Sequence, residues 1–427
     1  MKQYKDSGID WIGRIPEGWK INKFKHLFRI KKIIAGKLGY DVLSVTQQGL
    51  KVKNITSNEG QVANDYTNYQ LVFPNDFVMN HMDLLTGYVD VSKQEGVTSP
   101  DYRTFYAIHP KDIINQYYLY IFQFCYKARL FYNLGQGVSN FGRWRLPAEQ
   151  QKEFMLPFPP TKEQVKIAEY LDEKCGEIDS LIELQEQMIE KLKAYKQSVI
   201  TEAVTKGLDL NAKLVPSGID WIGEVPAGWK VCRIKDISSI NSNSLNENTQ
   251  SDFEFDYVDI GSVSFEQGIY KSEHYLFKDA PSRARKKANL GDIVMSTVRT
   301  YLRAIDVVDT VEKSQYIYST GFAIITPKAN VLSSFLSYIT KSDCFLKQVI
   351  VYSKGINYPS INTNELMAIS VALPPISEQT IIAEYLSKKC KEIDVLVSIK
   401  QQKIEKLKDY KKSIICEAVT GKIIIES

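Results

Sequence analysis

Two long stretches of the chain place apolar residues at the spacing of a coiled coil. In the first stretch the residues that recur every seven positions are Leu171, Ile178, Gln185, Leu192 and Val199, with Leu181, Met188 and Tyr195 between them. In the second stretch they are Leu386, Ile393, Lys400, Leu407 and Ile414, with Leu396, Lys403 and Tyr410 between them. These rows predict two helices of about 45 residues, each about 65–70 Å long, that are joined along an apolar seam.

Helix-breaking residues mark the ends of both stretches. A Pro-Pro pair precedes each, and Thr161 or Ser377 stands where an N-cap is expected. The first predicted helix ends before Gly207 and the second before Gly421. We expect the two helices to pair antiparallel, with two separate helical arms as the alternative.

The chain contains an internal repeat. The segment SGIDWIG occurs at Ser7–Gly13 and again at Ser217–Gly223, and the segment that opens each helix recurs 215 positions later. We call the segments that contain these two copies the tags. The regions between each tag and the helix that follows it scarcely resemble each other, but their short β-rich runs indicate a mixed α/β domain in each half. The resulting division is an N-terminal tag at 1–20, a first domain at 21–158, a first long helix at 159–206, a linker and second tag at 207–230, a second domain at 231–373 and a second long helix at 374–427.

The fold class predicted from this division is α+β. Two mixed α/β domains related by a pseudo-twofold axis are separated by two long helices that form an antiparallel coiled coil. The second tag follows the first helix directly, so symmetry suggests that the first tag docks on the end of the second helix, near Glu417–Ile424. The apolar contacts would come from Trp11, Ile12, Pro16 and Trp19, and in the second copy from Trp221, Ile222, Pro226 and Trp229.

The order of tag, variable domain and Pro-Pro-led helix, repeated once, resembles the specificity subunit of type I restriction-modification systems. The segment YKDSGIDWIGRIPEGWK from Tyr4 carries the resemblance, although the second tag has LVP where the first has YKD. The resemblance implies two target-recognition domains that each read half of a bipartite site in double-stranded DNA. It also implies that the helices bind two DNA methyltransferase subunits, and that restriction/translocase subunits join the complex.

Sequence signatures of catalysis are missing. The segments PFPPTK and ALPPIS lack the Asn or Asp that an adenine methyltransferase places before Pro-Pro, and no Gly-rich nucleotide loop occurs. The four histidines and six scattered cysteines show no metal-ligand spacing. We therefore expect a non-catalytic chain that binds no cofactor, with S-adenosylmethionine, ATP and Mg on the partner subunits. No apolar run is long enough for a membrane span, and a cytoplasmic location is expected.

Basic and polar loops supply the candidate DNA contacts, because phosphates attract Lys and Arg while amides and guanidinium groups read base edges. In the first domain the candidates are Lys51, Lys53, Asn54, Gln136, Ser139, Asn140, Arg143, Trp144 and Arg145. In the second domain they are Arg283, Arg285, Lys286, Lys287, Arg299, Arg303, Lys354, Asn357 and Tyr358. The run SRARKK is equally explained as a solvated charged surface. The seam candidates are Leu171, Ile178, Leu192, Tyr195, Leu386, Ile393, Leu407 and Tyr410.

Three functions remain open on these grounds. The first is a DNA-specificity subunit, which the basic, polar loops of two divergent domains favour. The second is a coiled-coil scaffold that organises protein partners without reading DNA. The third, an enzyme in its own right, is disfavoured by the missing motifs. Two divergent domains predict an asymmetric site, with unread base pairs between its halves and centres about 34–36 Å apart, one turn of the duplex.

Overall fold

The computed structural model describes residues 3–54, 65–137, 144–423 and residue 425. It divides into two compact units, one formed by Met1–Gln185 with Gln402–Ser427 and the other by Glu186–Gln401. Each unit therefore contains one tag, one variable domain and part of both long helices.

The first unit contains twelve strands in its described residues and the start of the first long helix. The strands are β1 (Tyr4–Asp6), β2 (Arg14–Pro16), β3 (Lys20–Lys23), β4 (Phe28–Lys31), β5 (Leu43–Thr46), β6 (Gly49–Val52), β7 (Gln70–Val72), β8 (Phe77–Met79), β9 (Val89–Val91), β10 (Gly96–Thr98), β11 (Arg103–Ala107) and β12 (Met155–Phe158). The helices are α1 (Phe24–Leu27), α2 (Asn115–Lys127), α3 (Leu130–Asn133), α4 (Ala148–Glu153) and α5 (Thr161–Lys206), which continues into the second unit.

An antiparallel sheet in the order β4-β11-β8-β9 forms the centre of the first domain. Its inner face is aromatic, and the rings of Phe28, Phe77, Phe105 and Phe122 have centroids 4.9–5.7 Å apart. Phe122 comes from α2, which covers the sheet with a run of buried residues. This packing of a helix on an antiparallel sheet is the mixed α/β arrangement that the β-rich runs predict.

The second unit is built from fourteen strands in its described residues. They are β13 (Leu214–Pro216), β14 (Glu224–Pro226), β15 (Lys230–Arg233), β16 (Ser238–Ile240), β17 (Glu254–Val258), β18 (Val263–Ser264), β19 (Gly268–Ile269), β20 (Glu273–Leu276), β21 (Ala284–Lys287), β22 (Ile293–Ser296), β23 (Ile305–Val307), β24 (Ile317–Ser319), β25 (Phe322–Pro327) and β26 (Ser370–Leu373). The α-helices are α6 (Ile234–Ile237), α7 (Val311–Gln315), α8 (Ser333–Lys341), α9 (Asp343–Tyr352), α10 (Thr363–Ala368) and α11 (Ile376–Val419), and 3-10 turns lie at Ile260–Ser262, Phe277–Asp279 and Thr300–Leu302.

The central sheet of the second domain has the order β16-β25-β22-β23, which matches the first domain strand for strand. A further four-stranded sheet, β20-β17-β24-β21, is specific to this domain among the described residues, and its β17 and β24 are parallel. The two variable regions therefore share a scaffold despite their weak sequence similarity. The two domains differ in the strands attached to this scaffold, such as the further sheet of the second domain.

The Glu-Gln pair that follows each Pro-Pro pair fastens the helix to its own domain. Gln164 is fully buried; its amide nitrogen donates to the carbonyls of Asp112 and Pro159, and its oxygen accepts from the Ile114 N–H, all at 2.9 Å. Gln379 repeats this in the second unit by accepting from Leu332 N–H at 2.9 Å. The predicted caps are wrong, because α5 begins at Thr161 and α11 at Ile376, so that Thr161 and Ser377 lie inside the first turn.

The two long helices run antiparallel where they meet within each unit. In the first unit Trp19 donates to Glu163 at the start of α5 and lies against Gly421 at the end of α11, and further along Lys411 pairs with Asp179 at 2.6 Å. In the second unit Trp229 makes the same link between Glu378 and Gly207. There Lys196 pairs with Asp394 at 2.7 Å, and these two residues are the repeat equivalents of Lys411 and Asp179.

Burial along the two long helices differs from the predicted seam in one of its two rows. Leu171, Ile178, Leu386 and Ile393 are buried, and Leu192 and Leu407 are half-buried. The second row is wrong by one residue, because Tyr195 and Tyr410 are 50% and 57% exposed. The inward positions of that row are Cys175, Ile182, Ile189 and Lys196 in α5, and Cys390, Val397, Ile404 and Lys411 in α11. In a coiled coil the seam positions are separated by three and four residues in turn. Because Lys196 and Lys411 are polar, the sequence did not show that the inner second row lies four residues after the first row, not three.

The first tag docks on the end of α11, as symmetry predicts. Tyr4 donates its hydroxyl to the carbonyl of Gly421 at 3.1 Å, and a Cβ built on Gly421 would lie 2.6 Å from Pro16 and 2.9 Å from Trp19. Ile12 and Trp19 are fully buried in the same cluster as Val419. The predicted twin is looser at one position, because Trp221 is exposed where Trp11 packs against Phe154.

Candidate nucleic-acid interface

A pair of loops lies at one end of the central sheet of the first domain. The turn formed by residues 80–88 joins β8 to β9, and residues 144–146 lie beside it. Leu84 N–H donates to the Trp144 carbonyl at 3.1 Å, and Leu146 N–H donates to the His81 carbonyl at 2.9 Å. Main-chain bonds therefore fix where the two loops meet.

The second domain repeats this loop pair with different side chains. The turn Ser296–Ala304 joins β22 to β23, and Ile361 N–H donates to the Thr297 carbonyl at 2.9 Å. Thr300 N–H donates to the Pro359 carbonyl at 3.3 Å. The bonds correspond one for one with those of the first domain. We define the first loop pair as residues 80–88 with 135–137 and 144–146, and the second as residues 296–304 with 353–361.

The loop pair of the second domain brings together several predicted DNA contacts. The Arg299 guanidinium lies 5.1 Å from the centroid of the Tyr358 ring, a cation–π distance. Lys354 and Asn357 are exposed on the same loop as Tyr358, and the Lys354 ammonium also reaches Glu365 at 2.8 Å, which raises the pKa of Lys354. The predicted residues Lys354, Asn357 and Tyr358 are therefore exposed on one loop, and Arg299 lies against that loop.

Both arginines of the 296–304 turn have left-handed backbone conformations. Their φ angles are 51° for Arg299 and 49° for Arg303, a region that costs a non-glycine residue free energy. The Arg303 guanidinium lies 5.7 Å from the centroid of the Phe265 ring. Strain of this kind is retained where the surrounding structure fixes the backbone, and it holds the two side chains in set directions.

The SRARKK run is divided between structural and exposed roles. Lys286 donates to the Phe322 carbonyl at 2.6 Å, and burial lowers its pKa. Arg285 stacks on Phe277 at 4.8 Å, while Lys287 is half-buried on the same strand, β21. Arg283 is exposed and remains the best placed of the four for a phosphate contact.

Predicted contacts of the first domain fall in two places. Lys51 is exposed on β6, Lys53 and Asn54 follow that strand, and the tip of the β5–β6 hairpin reaches the 80–88 turn through a 3.4 Å hydrogen bond from Gln47 to the Thr86 carbonyl. Gln136 and Arg145 exchange main-chain bonds of 2.9 and 3.1 Å at the stem of the second loop. Trp144 uses its indole N–H on the Tyr132 carbonyl at 2.7 Å, which is an anchoring role. The remaining candidates, Ser139, Asn140 and Arg143, lie outside the described residues.

Two basic groups under the first loop pair, the buried Arg103 and the half-buried His81, were not predicted. Arg103 is buried; its guanidinium donates to Gln151 and to the Leu146 carbonyl, and burial lowers its pKa to about 10. Burial, with Arg103 and Arg145 nearby, lowers the pKa of His81 to about 3. His81 is therefore neutral at pH 7. The sequence signal was the position of His81 directly after the strand VMN, in the turn that the repeat aligns with the Arg299 turn.

Within the parts of the chain that the structure describes, there is no cluster of three or more His, Cys, Asp or Glu side chains arranged to hold a metal ion. Across those residues, too, no helix is both long and apolar enough to cross a bilayer.

The two copies of this scaffold correspond to a known sequence family. The chain matches the type I restriction modification DNA specificity domain over residues 16–194 and again over residues 226–409, together more than half its length. The chain belongs to this family. Each family match covers one variable domain with most of the helix that follows it.

Relatives of the family are specificity subunits. The chain is 29% identical over 281 residues to the type I restriction enzyme MjaVIII specificity subunit of Methanocaldococcus jannaschii, which covers 64% of this chain and 63% of that relative. It is 24% identical over 442 residues to the putative MjaX specificity subunit of the same organism, covering 97% and 96%. The match to the first of these relatives thus spans less than two thirds of its length.

Solved structures share the fold. A chain from a structural study of complex assembly in the type I R-M system superposes with a TM-score of 0.70 at 12% identity, covering 96% of this chain and 99% of that one. The HsdS subunit from Thermoanaerobacter tengcongensis gives a TM-score of 0.51 at 14% identity, covering 96% and 98%. At these identities the likeness concerns architecture alone.

Proposed function

We propose that this chain supplies the DNA sequence specificity of a cytoplasmic type I restriction-modification complex. Each target-recognition domain reads one half of a bipartite, asymmetric site in double-stranded DNA. The observation that carries the proposal is the pair of equivalent loop pairs, held by the same main-chain bonds and furnished with different side chains. A shared scaffold with divergent loops is what two readers of different sequences require.

The chemistry of the loops supports reading of DNA over protein scaffolding alone. Arg299, Arg303 and Lys354 contribute three cations to the second loop pair, whose own residues include no Asp or Glu. Cations of this kind attract phosphates, and guanidinium and amide groups pair with base edges. A scaffold that ignored DNA would have no use for cations gathered at strained backbone positions.

Asymmetry of the site is supported by the residues at equivalent positions. Asp83 occupies the position of Arg299, and Gly87 occupies that of Arg303. The Asp83 carboxylate accepts from the N–H groups of Leu85 and Thr86 at 3.0 and 2.9 Å and so closes its own turn. The two domains therefore present different side chains at equivalent positions, and the two halves of the site differ in sequence.

Catalysis in this proposal belongs to the partner subunits. Exposed apolar side chains on the long helices offer docking surface for two methyltransferase subunits, including Leu181 and Leu184 in the first unit and Leu396 and Ile399 in the second. Restriction subunits join the same complex. S-adenosylmethionine, ATP and Mg act on those subunits, and this chain is non-catalytic.

Methylome sequencing tests the proposal. A host that expresses the chain with its methyltransferase partner is compared with one that expresses the methyltransferase alone. We expect one methylated motif of two unlike halves, separated by unread base pairs and dependent on this chain. A continuous palindrome, or a motif that persists without the chain, would overturn the proposal. A scaffold protein would leave the methylome unchanged.

A further inference from the structure

The tip of the 353–361 loop presents an aliphatic side chain to solvent. Ile356 is 99% exposed, and Tyr358 beside it is 65% exposed. Full exposure of a branched aliphatic side chain forgoes the roughly 1.5–3 kcal/mol that burial of such a group contributes. A partner surface that buries Ile356 would recover that free energy.

The backbone holds this tip in place. Lys354 and Ser360 exchange main-chain hydrogen bonds of 2.8 and 2.9 Å, which close the loop at its base. Gly355 has a φ of 106°, and a Cβ built on it would lie 3.1 Å from the Tyr358 carbonyl oxygen. The loop is therefore tight, and Ile356 projects because the turn directs it outward.

The neighbours of Ile356 fit the edge of a base pair. Asn357, the next residue after Ile356, is exposed. The Arg299 guanidinium lies against the ring of Tyr358, which is on the same loop as Ile356. In the major groove an A·T pair presents the N7 and N6 groups of adenine, then O4 of thymine, and the thymine methyl group at the far edge. Aliphatic carbon matches the methyl, and a carboxamide makes the bidentate contact with adenine. A G·C pair offers neither.

We propose that Ile356 and Asn357 read an A·T pair in the half-site of the second domain, with Ile356 on the thymine methyl group and Asn357 on adenine. This inference rests on the proposed function and adds the class of base pair that the loop selects. The cations of the loop pair contact the phosphate backbone and position the duplex. The apolar tip distinguishes an A·T pair from other base pairs.

Deoxyuridine substitution isolates the methyl contact, because uracil pairs like thymine but lacks the methyl group. The full chain, assembled with its methyltransferase subunit, is titrated against duplexes that carry the motif, with each thymine replaced in turn. We expect one replacement to weaken binding about fourfold, the value of one buried methyl group. In the Ile356→Ala variant the unmodified duplex binds similarly weakly, and the same replacement has no further effect.

Leu290→Ala is the matched control. Leu290 is 61% exposed and precedes β22, at the opposite end of that strand from Arg299, so this variant keeps the full sensitivity to deoxyuridine. For Asn357→Ala we expect a loss of tenfold or more, and no further loss when the paired adenine is replaced by 7-deazaadenine.

The outcomes separate this inference from the proposed function. A preference for the motif over random duplex, with no thymine sensitive to loss of its methyl group, overturns the inference alone. Full deoxyuridine sensitivity retained in Ile356→Ala does the same. Equal weakening of Ile356→Ala on every duplex would instead assign the side chain to a sequence-independent wedge. No preference for the motif sinks both proposals.

Discussion

A glycine at the end of α11 gives a direct test of how the first tag docks. Gly421 has a φ of 74°, and a Cβ at this position would lie 2.6 Å from Pro16 Cδ and 2.9 Å from Trp19. Its repeat equivalent, Gly207, has a φ of 71°, and there the nearest atom, in Trp229, is 3.1 Å away. Alanine would strain both backbones, but it would collide only in the first unit.

The two substitutions should differ in magnitude. The left-handed backbone costs alanine about 1–2 kcal/mol at either position. Overpacking adds about 1–3 kcal/mol at Gly421, because the proline ring and the buried indole have little room to move. We expect Gly421→Ala to destabilise its unit by about 2–5 kcal/mol and Gly207→Ala by about 1–2 kcal/mol. Hydrogen exchange of peptides from the two tags and helix ends measures each effect locally, since 1.4 kcal/mol is tenfold in an opening constant.

A second substitution identifies the cause. Pro16→Ala removes the two ring carbons nearest to Gly421, so the penalty of Gly421→Ala should fall by 1 kcal/mol or more in that background. The backbone strain would remain. Equal penalties at Gly421 and Gly207, or a Gly421→Ala penalty that is indifferent to Pro16→Ala, would refute the packing described for the first tag.

Three further predictions concern other parts of the chain. Lys411→Ala and its twin Lys196→Ala should each destabilise by about 1 kcal/mol or less, because Asp179 and Asp394 are more than half exposed, and calorimetry at low and high salt measures the loss. His81 in the folded protein gains its proton only near pH 3, whereas the unfolded chain does so near pH 6.5, so stability falls as the pH drops below 6.5. His81→Gln should flatten that fall by about 1–2 kcal/mol between pH 7 and pH 5, measured by denaturant unfolding, and an unaltered slope would contradict the burial of a neutral imidazole. Exchange of residues 21–158 for a relative's domain should change one half of the methylated motif, and a change of both halves would count against separate readers.

The heptad rows show how far the sequence could predict the helices. The row through Leu171 and Ile178 was found because four of its five members, all except Gln185, are apolar. The second row was missed because Lys196 and Lys411 occupy inward positions that a search for apolar residues rejects. Their acidic partners are 198 and 232 positions away in sequence. The repeat held the missing signal, since both the lysine and the aspartate recur 215 positions later.

The repeat aligns the turns of the two domains, but it does not give the roles of their side chains. The sequence VMN at 78–80 corresponds to VMS at 294–296, which places the turn that carries His81 opposite the turn that carries Arg299. The roles of individual side chains depended on contacts that no local pattern reveals. The Trp144 indole N–H donates to a carbonyl in its own domain, and so does the ammonium group of Lys286. A basic or aromatic residue in a loop is available to DNA only when the fold has not already engaged it.

The repeat separates the parts of the chain that build the molecule from the parts that vary. Residues identical in both halves lie at joints: the tag tryptophan donates to the first-turn glutamate, and the glutamine beside that glutamate is buried under its domain. The loop pairs, in contrast, are joined by main-chain hydrogen bonds, which place no demand on side-chain identity. Side chains such as those of Ile356 and Asn357 are therefore free to change without loss of the loop conformation. A scaffold of this kind allows a new loop sequence to be presented in the old geometry. That is the physical requirement for a change of specificity without a change of fold.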